Sequence, residues 1–337
     1  VVLAHSTFGQ LTAQVGDVEV HAGQRSDYEG DMSSDTLVGK RIVVTGVTGQ
    51  VARPLALALA GENEVFGAAR FGDQAARDEL ERGGVRCIPV DLLAGDVSGL
   101  PNDADYVLHF AVAKSNNWEA DLRANSGGLA YLMEHHQAAA AFLHCSTTGV
   151  YKPEGHRIFD EDAPLGDNHG VWPFLRTYSI CKIAAEGTAR WAADRFGLPT
   201  TIARLSVPYG DNGGWPAIHL HMMLSGNAIP VHLDAPSTYH PLHADDIRSM
   251  VPRLLEVASV PATTVNWGGS DAVSIEEWCT YLAELVGVEA RFEPTAQTID
   301  SVQIDTTRMH DLIGRTTVPW REGMRRMAEA LHPDKVQ

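Results

Sequence analysis

Apolar runs of two lengths alternate along most of this chain. Ile42 to Val44 is short and β-branched, and similar runs stand at Glu64 to Ala69, Val85 to Val90, Tyr106 to Ala113 and Ala141 to Ser146. They are too short for helices and lack the polar alternation of half-exposed strands, so they predict buried parallel strands. Val51 to Ala60, Asn125 to Glu134 and Thr177 to Glu186 read as helices between or after them. Strand–helix alternation of this kind predicts an α/β fold with a doubly wound parallel sheet over residues 39–205. Farther on, Ser274 to Val286 is an amphipathic helix opened by a Ser274/Glu277 capping box, and Arg321 to Leu331 is another helix. No repeat or low-complexity linker divides the chain. Residues 206–332 are therefore expected to form mainly a smaller substrate-binding lobe, with some segments returning to the first domain. Residues 1–38 read as an N-terminal extension, either an appendage or an arm docked on a neighbouring subunit.

The first strand runs into Gly46, Gly49 and Ala52 at three-residue spacing, just ahead of a helix. A glycine turn between strand and helix occurs as plain structure. It is also the Rossmann-type arrangement in which backbone N–H groups at a helix N-terminus hold a pyrophosphate. On the second reading Gly46, Thr48, Gly49, Gln50 and Val51 line the cofactor. Small Ala111 and Ala113, closing the fourth run, leave room for a flat ligand. About 20 residues past the glycines, where NAD sites place an acid for the ribose 2′-hydroxyl, stand Ala69 and Arg70. A guanidinium there suits a 2′-phosphate, which favours NADP and leaves NAD as the alternative.

Charge and composition narrow the partners. With 26 Lys and Arg against 43 Asp and Glu, the net charge of −17 argues against nucleic acid or an anionic membrane. Cys87, Cys145, Cys181 and Cys279 form no CxxC or zinc spacing, which fits a reduced cytoplasmic setting. No run reaches the length of a membrane span. His219 and His221 make half a metal site without a further ligand at suitable spacing, so no metal is expected.

Candidate chemistry follows the fifth strand. Ser146, Thr147 and Thr148 precede Gly149-Val150-Tyr151, and Tyr178 and Lys182 share one helix face four residues apart. An ammonium beside a phenol lowers the phenol pKa from about 10, and a phenol so tuned gives or takes a proton near neutral pH.

TGVTGQVA, Asp91-Leu92, HFAVA, Asn125, STTGVY and YSICK, in this order, resemble the extended short-chain dehydrogenase/reductase family, the NAD-dependent epimerase/dehydratase group. The resemblance covers residue 39 to about residue 332. It implies that Tyr178 and Lys182 are the catalytic pair, that Thr147 binds the substrate oxygen, and that Asn125 positions a water or backbone group. It also implies that Asp91 and Leu92 contact the cofactor, that Tyr178 and Lys182 do so too, and that Arg204, Tyr209 and Gly210 reach towards the nicotinamide. Homodimerisation through helices beside the catalytic one is implied as well. Dehydratases of the family carry an Asp-Glu pair after the catalytic threonine, where this chain has Thr148 and Gly149. Nucleotide-sugar members usually carry an arginine near Tyr239 or His240, where this chain reads STYHPLHADDI. The lobe instead offers Trp172, Phe174, Trp215, His219, His221, Tyr239 and His240, each open to a reading as pocket wall or lobe core. Trp172, Trp215, His219 and Tyr239, with Lys114 and Thr148 at two strand ends, are the candidate substrate contacts. The expectation is an NAD(P)-dependent oxidoreductase, NADP-preferring, acting on a small carbonyl or alcohol substrate. The alternatives are an NAD-dependent sugar or nucleotide-sugar epimerase and a non-catalytic dinucleotide sensor.

Overall fold

The computed structural model describes residues 37–336, so the extension expected over residues 1–38 lies almost wholly outside the described residues. A seven-stranded sheet forms the centre. Its strands are β1 (Arg41–Thr45), β2 (Glu64–Ala69), β3 (Arg86–Pro89), β4 (Tyr106–His109), β5 (Ala141–Thr147), β6 (Thr200–Leu205) and β7 (Thr263–Trp267). All pairings are parallel, in the order β3-β2-β1-β4-β5-β6-β7. The order reverses between β1 and β4, and a crevice at the carboxyl ends of those strands is where such sheets bind ligands. β5 is buried along its whole length, as its apolar run predicts for a strand covered on both faces.

Helices α1 (Ala52–Leu59) and α2 (Gln74–Arg82) follow the first two strands. α3 (Trp118–Leu122) continues through a π turn, Arg123–Gly127, into α4 (Gly128–His135). The helix expected to open at Asn125 therefore begins seven residues earlier, where the Asn117 side chain accepts from Ala120 N–H as the N-cap. The fourth strand is also shorter than its apolar run, because the chain after His109 leaves the sheet and is gripped by side chains of this helix. α5 (Tyr178–Phe196) packs on α4 and ends at Gly197, whose φ of 65° is the left-handed cap that glycine adopts at least cost.

A second apolar core joins α6 (Trp215–Leu224), α8 (Ile275–Val286) and α10 (Trp320–Leu331). The intervening α7 (Ala244–Glu256) and α9 (Thr307–Ile313) pack with the sheet. The chain thus crosses between the two cores several times, and Tyr151, four residues past β5, is buried in the second. Among the described residues no helix is long and apolar enough to cross a membrane.

Candidate active site

The turn after β1 has the form a dinucleotide needs. Gly46 has φ 68°, and a Cβ there would stand 2.8 Å from the Ala111 backbone, so only glycine lets the β1 turn meet the segment after β4. α1 has no side-chain cap at Val51 and no acid in its first turn, which leaves its N-terminal N–H groups unclaimed by side chains and open to an anion. Asn212 Nδ2 donates to the Gln50 carbonyl at 2.8 Å and ties the lobe to this turn. Gly128 abuts Leu92, where a Cβ would lie 2.6 Å from the Leu92 carbonyl oxygen. Asp91 is exposed and turns on itself by accepting from Leu93 N–H, and exposed Arg70 has no ion-pair partner among the described residues. These residues fit a bound dinucleotide.

Tyr178 opens α5 beside the end of β5. The Thr147 hydroxyl at the end of β5 is close enough to act on the charge of the Tyr178 phenol, and Thr147 Oγ1 accepts from Gly149 N–H at 3.1 Å. Burial pushes the Tyr178 phenol up to about 12, and Thr147 offsets only part of this. This reverses the lowered value expected from Lys182. The Lys182 ammonium, 4% exposed, donates to the Cys145 carbonyl at 2.7 Å, and burial lowers its pKa. Its charge is spent on the β5 backbone instead of on the phenol. Ser146 is excluded as the substrate hydroxyl, since it donates to Glu186 at 2.6 Å. Thr148 is buried in the short turn after β5, and Lys114 is exposed after β4.

Asn125 sits inside the π turn with its amide fully engaged. Oδ1 accepts from Ala113 N–H at 2.9 Å, and Nδ2 donates to the carbonyls of Ala113 and Asp121, both at 2.8 Å. Asn125 thus fixes the backbone after β4. Asp121, absent from the sequence reading, is 1% exposed. It accepts from Ser115 N–H and Oγ, from Asn116 N–H, and from Thr177 Oγ1 at 2.7 Å. Burial works against its charge, but the Ser115 and Thr177 hydrogen bonds hold its carboxyl below the usual range. One carboxylate therefore joins the segment after β4 to the residue before Tyr178. Asp121→Ala is expected to cost about 2–3 kcal/mol by urea unfolding, because buried donors lose their acceptor.

Beneath the site lies a second network that sequence reasoning missed. Glu186, fully buried, accepts from Arg204 Nε at 3.0 Å and Nη2 at 2.8 Å, and from Arg190 at 3.0 Å. Arg204 also donates to Tyr151 Oη at 3.1 Å and to the Glu161 carbonyl at 2.8 Å. Arg204 is therefore an interior strut and does not reach a nicotinamide. Tyr209 is likewise buried, donating to the Trp320 carbonyl.

On the lobe side the aromatic candidates separate. Trp172 stacks on exposed Phe174 at 5.3 Å and meets Trp215 edge-on at 5.8 Å, and both tryptophans are half-buried. They form a wall that His169 continues to Tyr178, with ring centroids 4.9 Å apart. His219 and Tyr239, expected as substrate contacts, are instead 2% exposed and belong to the lobe core. His219 Nδ1 accepts from Trp278 Nε1, and Tyr239 Oη donates to the Asp300 carbonyl at 2.8 Å. Side chains that also pack on Trp215 and Trp278 bury too much apolar surface to stay in an open pocket.

Residues 42–267 match the model of the NAD-dependent epimerase/dehydratase family. The chain belongs to that family. Solved structures of similar fold include UDP-glucuronic acid 4-epimerase from Bacillus cereus, in complex with UDP-glucuronic acid and NAD. It has a TM-score of 0.74 at 20% identity over 87% of this chain and 99% of that one. UDP-glucose 4-epimerase from Thermotoga maritima superposes with a TM-score of 0.73 at 19% identity, covering 87% and 99%. UDP-N-acetylglucosamine 4-epimerase from Methanobrevibacter ruminantium gives 0.76 at 15% identity, covering 88% and 100%. No match was found among curated protein sequences.

Two departures from the family's pattern take physical form here. A Cβ on Gly149 would stand 2.3 Å from His169 Cε1, so the imidazole occupies the place a side chain would need. His240 Nδ1 pairs with the Gly269 carbonyl at 2.8 Å and its Nε2 is sealed in the interior, while Tyr239 Oη is taken up by the Asp300 carbonyl, so neither stands in for an arginine.

Proposed function

We propose that this enzyme is an NAD-dependent epimerase acting on a hydroxyl-bearing carbon of a sugar. The reading rests on Tyr178 and Thr147 meeting at the end of β5, with Lys182 one helix turn on against the Cys145 carbonyl, in a chain of this family. The epimerase neighbours move this reading ahead of the net oxidoreductase expected from sequence. Tyr178 takes the proton of the reacting hydroxyl and returns it, and Thr147 Oγ1 hydrogen-bonds the same oxygen. Lys182, whose ammonium gives one of its three protons to the Cys145 carbonyl, would hold the ribose of a bound dinucleotide with the others. A dinucleotide held at the glycine turn would supply reversible hydride chemistry, with no net redox change over a turnover, and the protein's own part is to move one proton out and back at Tyr178. The test incubates purified, NAD-loaded protein with UDP-glucose, UDP-glucuronic acid, UDP-N-acetylglucosamine and the corresponding free sugars, with epimers followed by NMR. Interconversion without net change in nicotinamide absorbance supports the reading. Net redox, or no conversion of any sugar, sinks it.

Exposed Arg70, with no acid at the end of β2, favours a second reading as an NADP-linked carbonyl reductase. Arg70→Ala should then weaken NADPH binding about tenfold and leave NADH binding unchanged in fluorescence titrations. Equal effects on both cofactors would return Arg70 to a surface role. We also propose a cytoplasmic homodimer through α4 and α5, whose outer faces expose Tyr131 and Trp191. Sedimentation equilibrium should give twice the chain mass.

A further inference from the structure

The segment immediately before Tyr178 brings an imidazole against the site. Backbone hydrogen bonds from Trp172 to His169, Leu175 to Trp172 and Tyr178 to Leu175 carry the chain in tight turns from His169 to the start of α5. The ring of His169 is held on two sides, edge-on to Tyr178 at 4.9 Å and to Trp172 at 5.5 Å. On a third side it fills the space over Gly149.

The hydrogen bonds fix its tautomer. Ser179 Oγ donates its one proton to the Gly149 carbonyl at 2.6 Å, so towards the imidazole, 2.9 Å away, it can only accept. His169 Nδ1 therefore carries the proton and Nε2 is a bare acceptor. Burial pushes His169 down to about 4, which keeps the ring neutral at physiological pH. Nε2 has no partner among the described residues and is not among the atoms sealed in the interior. A group that accepts only is matched by a ligand that donates. Ketone, carboxylate and phosphate oxygens have no proton to give, whereas the hydroxyls of a sugar ring do.

We propose that His169 is a specificity-determining residue, anchored through Nδ1 on Ser179 and accepting at Nε2 a hydrogen bond from a ring hydroxyl next to the reacting carbon. The inference rests on the sugar reading above and assigns its recognition to a residue outside the Tyr178, Thr147 and Lys182 set. Trp172, perpendicular to the imidazole, supplies the apolar wall for the ring face.

Binding is measured by isothermal titration in the NAD-loaded Tyr178→Phe protein, so that turnover does not intervene. The probes are D-glucose and UDP-glucose, each with its 2-, 3-, 4- and 6-deoxyfluoro analogue, in which fluorine keeps the bulk but donates nothing. At one ring position fluorine should weaken binding roughly fivefold. Adding His169→Asn, whose amide N–H replaces Nδ1–H on Ser179 but leaves nothing at Nε2, should abolish that discrimination. Adding His169→Gln, whose amide oxygen reaches the Nε2 position, should restore it. Discrimination that survives His169→Asn overturns the proposal, as does an absence of discrimination in the parent. Equal losses for every probe in both variants would show a packing role only and also overturn it. Failure of both sugars to bind the parent overturns this inference, and failure of the wider sugar panel to be converted overturns the sugar reading itself.

Discussion

Tyr178→Phe is expected to lower turnover about a thousandfold while leaving cofactor affinity and the thermal midpoint close to those of the parent. The ring keeps its contact with His169, so packing is conserved and only the hydroxyl beside Thr147 is lost. Retained turnover would remove Tyr178 from the reaction. The pH behaviour follows from the same group. Because burial pushes the phenol to about 12, the cofactor-free protein holds it protonated across the physiological range. Steps in which Tyr178 gives a proton should be flat with pH there, and steps in which it takes one should speed up towards alkaline pH. A folded-state pKa raised above the unfolded value near 10 also means stability that is present below about pH 10 and lost as pH rises towards 12. Tyr178→Phe should lack that part of the alkaline loss in urea unfolding at pH 9 and pH 11.

Arg204→Met is expected to destabilise the fold by about 3–5 kcal/mol. Arg204 and Glu186 are both nearly inaccessible, and burial opposes the charge on each. Their paired hydrogen bonds keep Arg204 firmly protonated and the Glu186 carboxyl below its usual range. Without the guanidinium, Glu186 keeps only Ser146 and the half-exposed Arg190, and Tyr151 loses a donor. The double variant Arg204→Met with Glu186→Leu should recover much of the loss, since an apolar pair of similar size carries no stranded charge. Chemical unfolding of the three proteins checks this. A double variant no more stable than Arg204→Met would refute the stranded-charge explanation.

The sheet was readable because its signals are local. Glu64–Ala69 has the predicted bounds, since a run of small and apolar residues between polar turns admits little else. Tyr178 and Lys182 were readable because a spacing of four places them on one helix face. Asp121 and Glu186 were not, because each resembles a surface acid of a helix until distant donors surround it: Thr177 for one, Arg204 for the other. The lobe aromatics share one composition signal, and whether a ring faces the core, like Tyr239, or the site, like Trp172, depends on how α6 and α8 pack. His169 gave almost no signal. It stands in an irregular loop whose only sequence clue was the bare position at Gly149, legible once the two were seen in contact.

The π turn at Arg123–Gly127 bears on how this gene can change length. A widened turn of this kind accommodates one residue more than the regular helix, and each residue adds about 100° of rotation. Removing a single codon there would close the helix into a regular one and swing the upstream face by about that angle relative to α4. With α4 packed on α5, the displaced part would be the face that carries Asp121 and its donors. Insertions and deletions that exposed loops such as the one at Gly72 can absorb are therefore expected to be purged from this stretch.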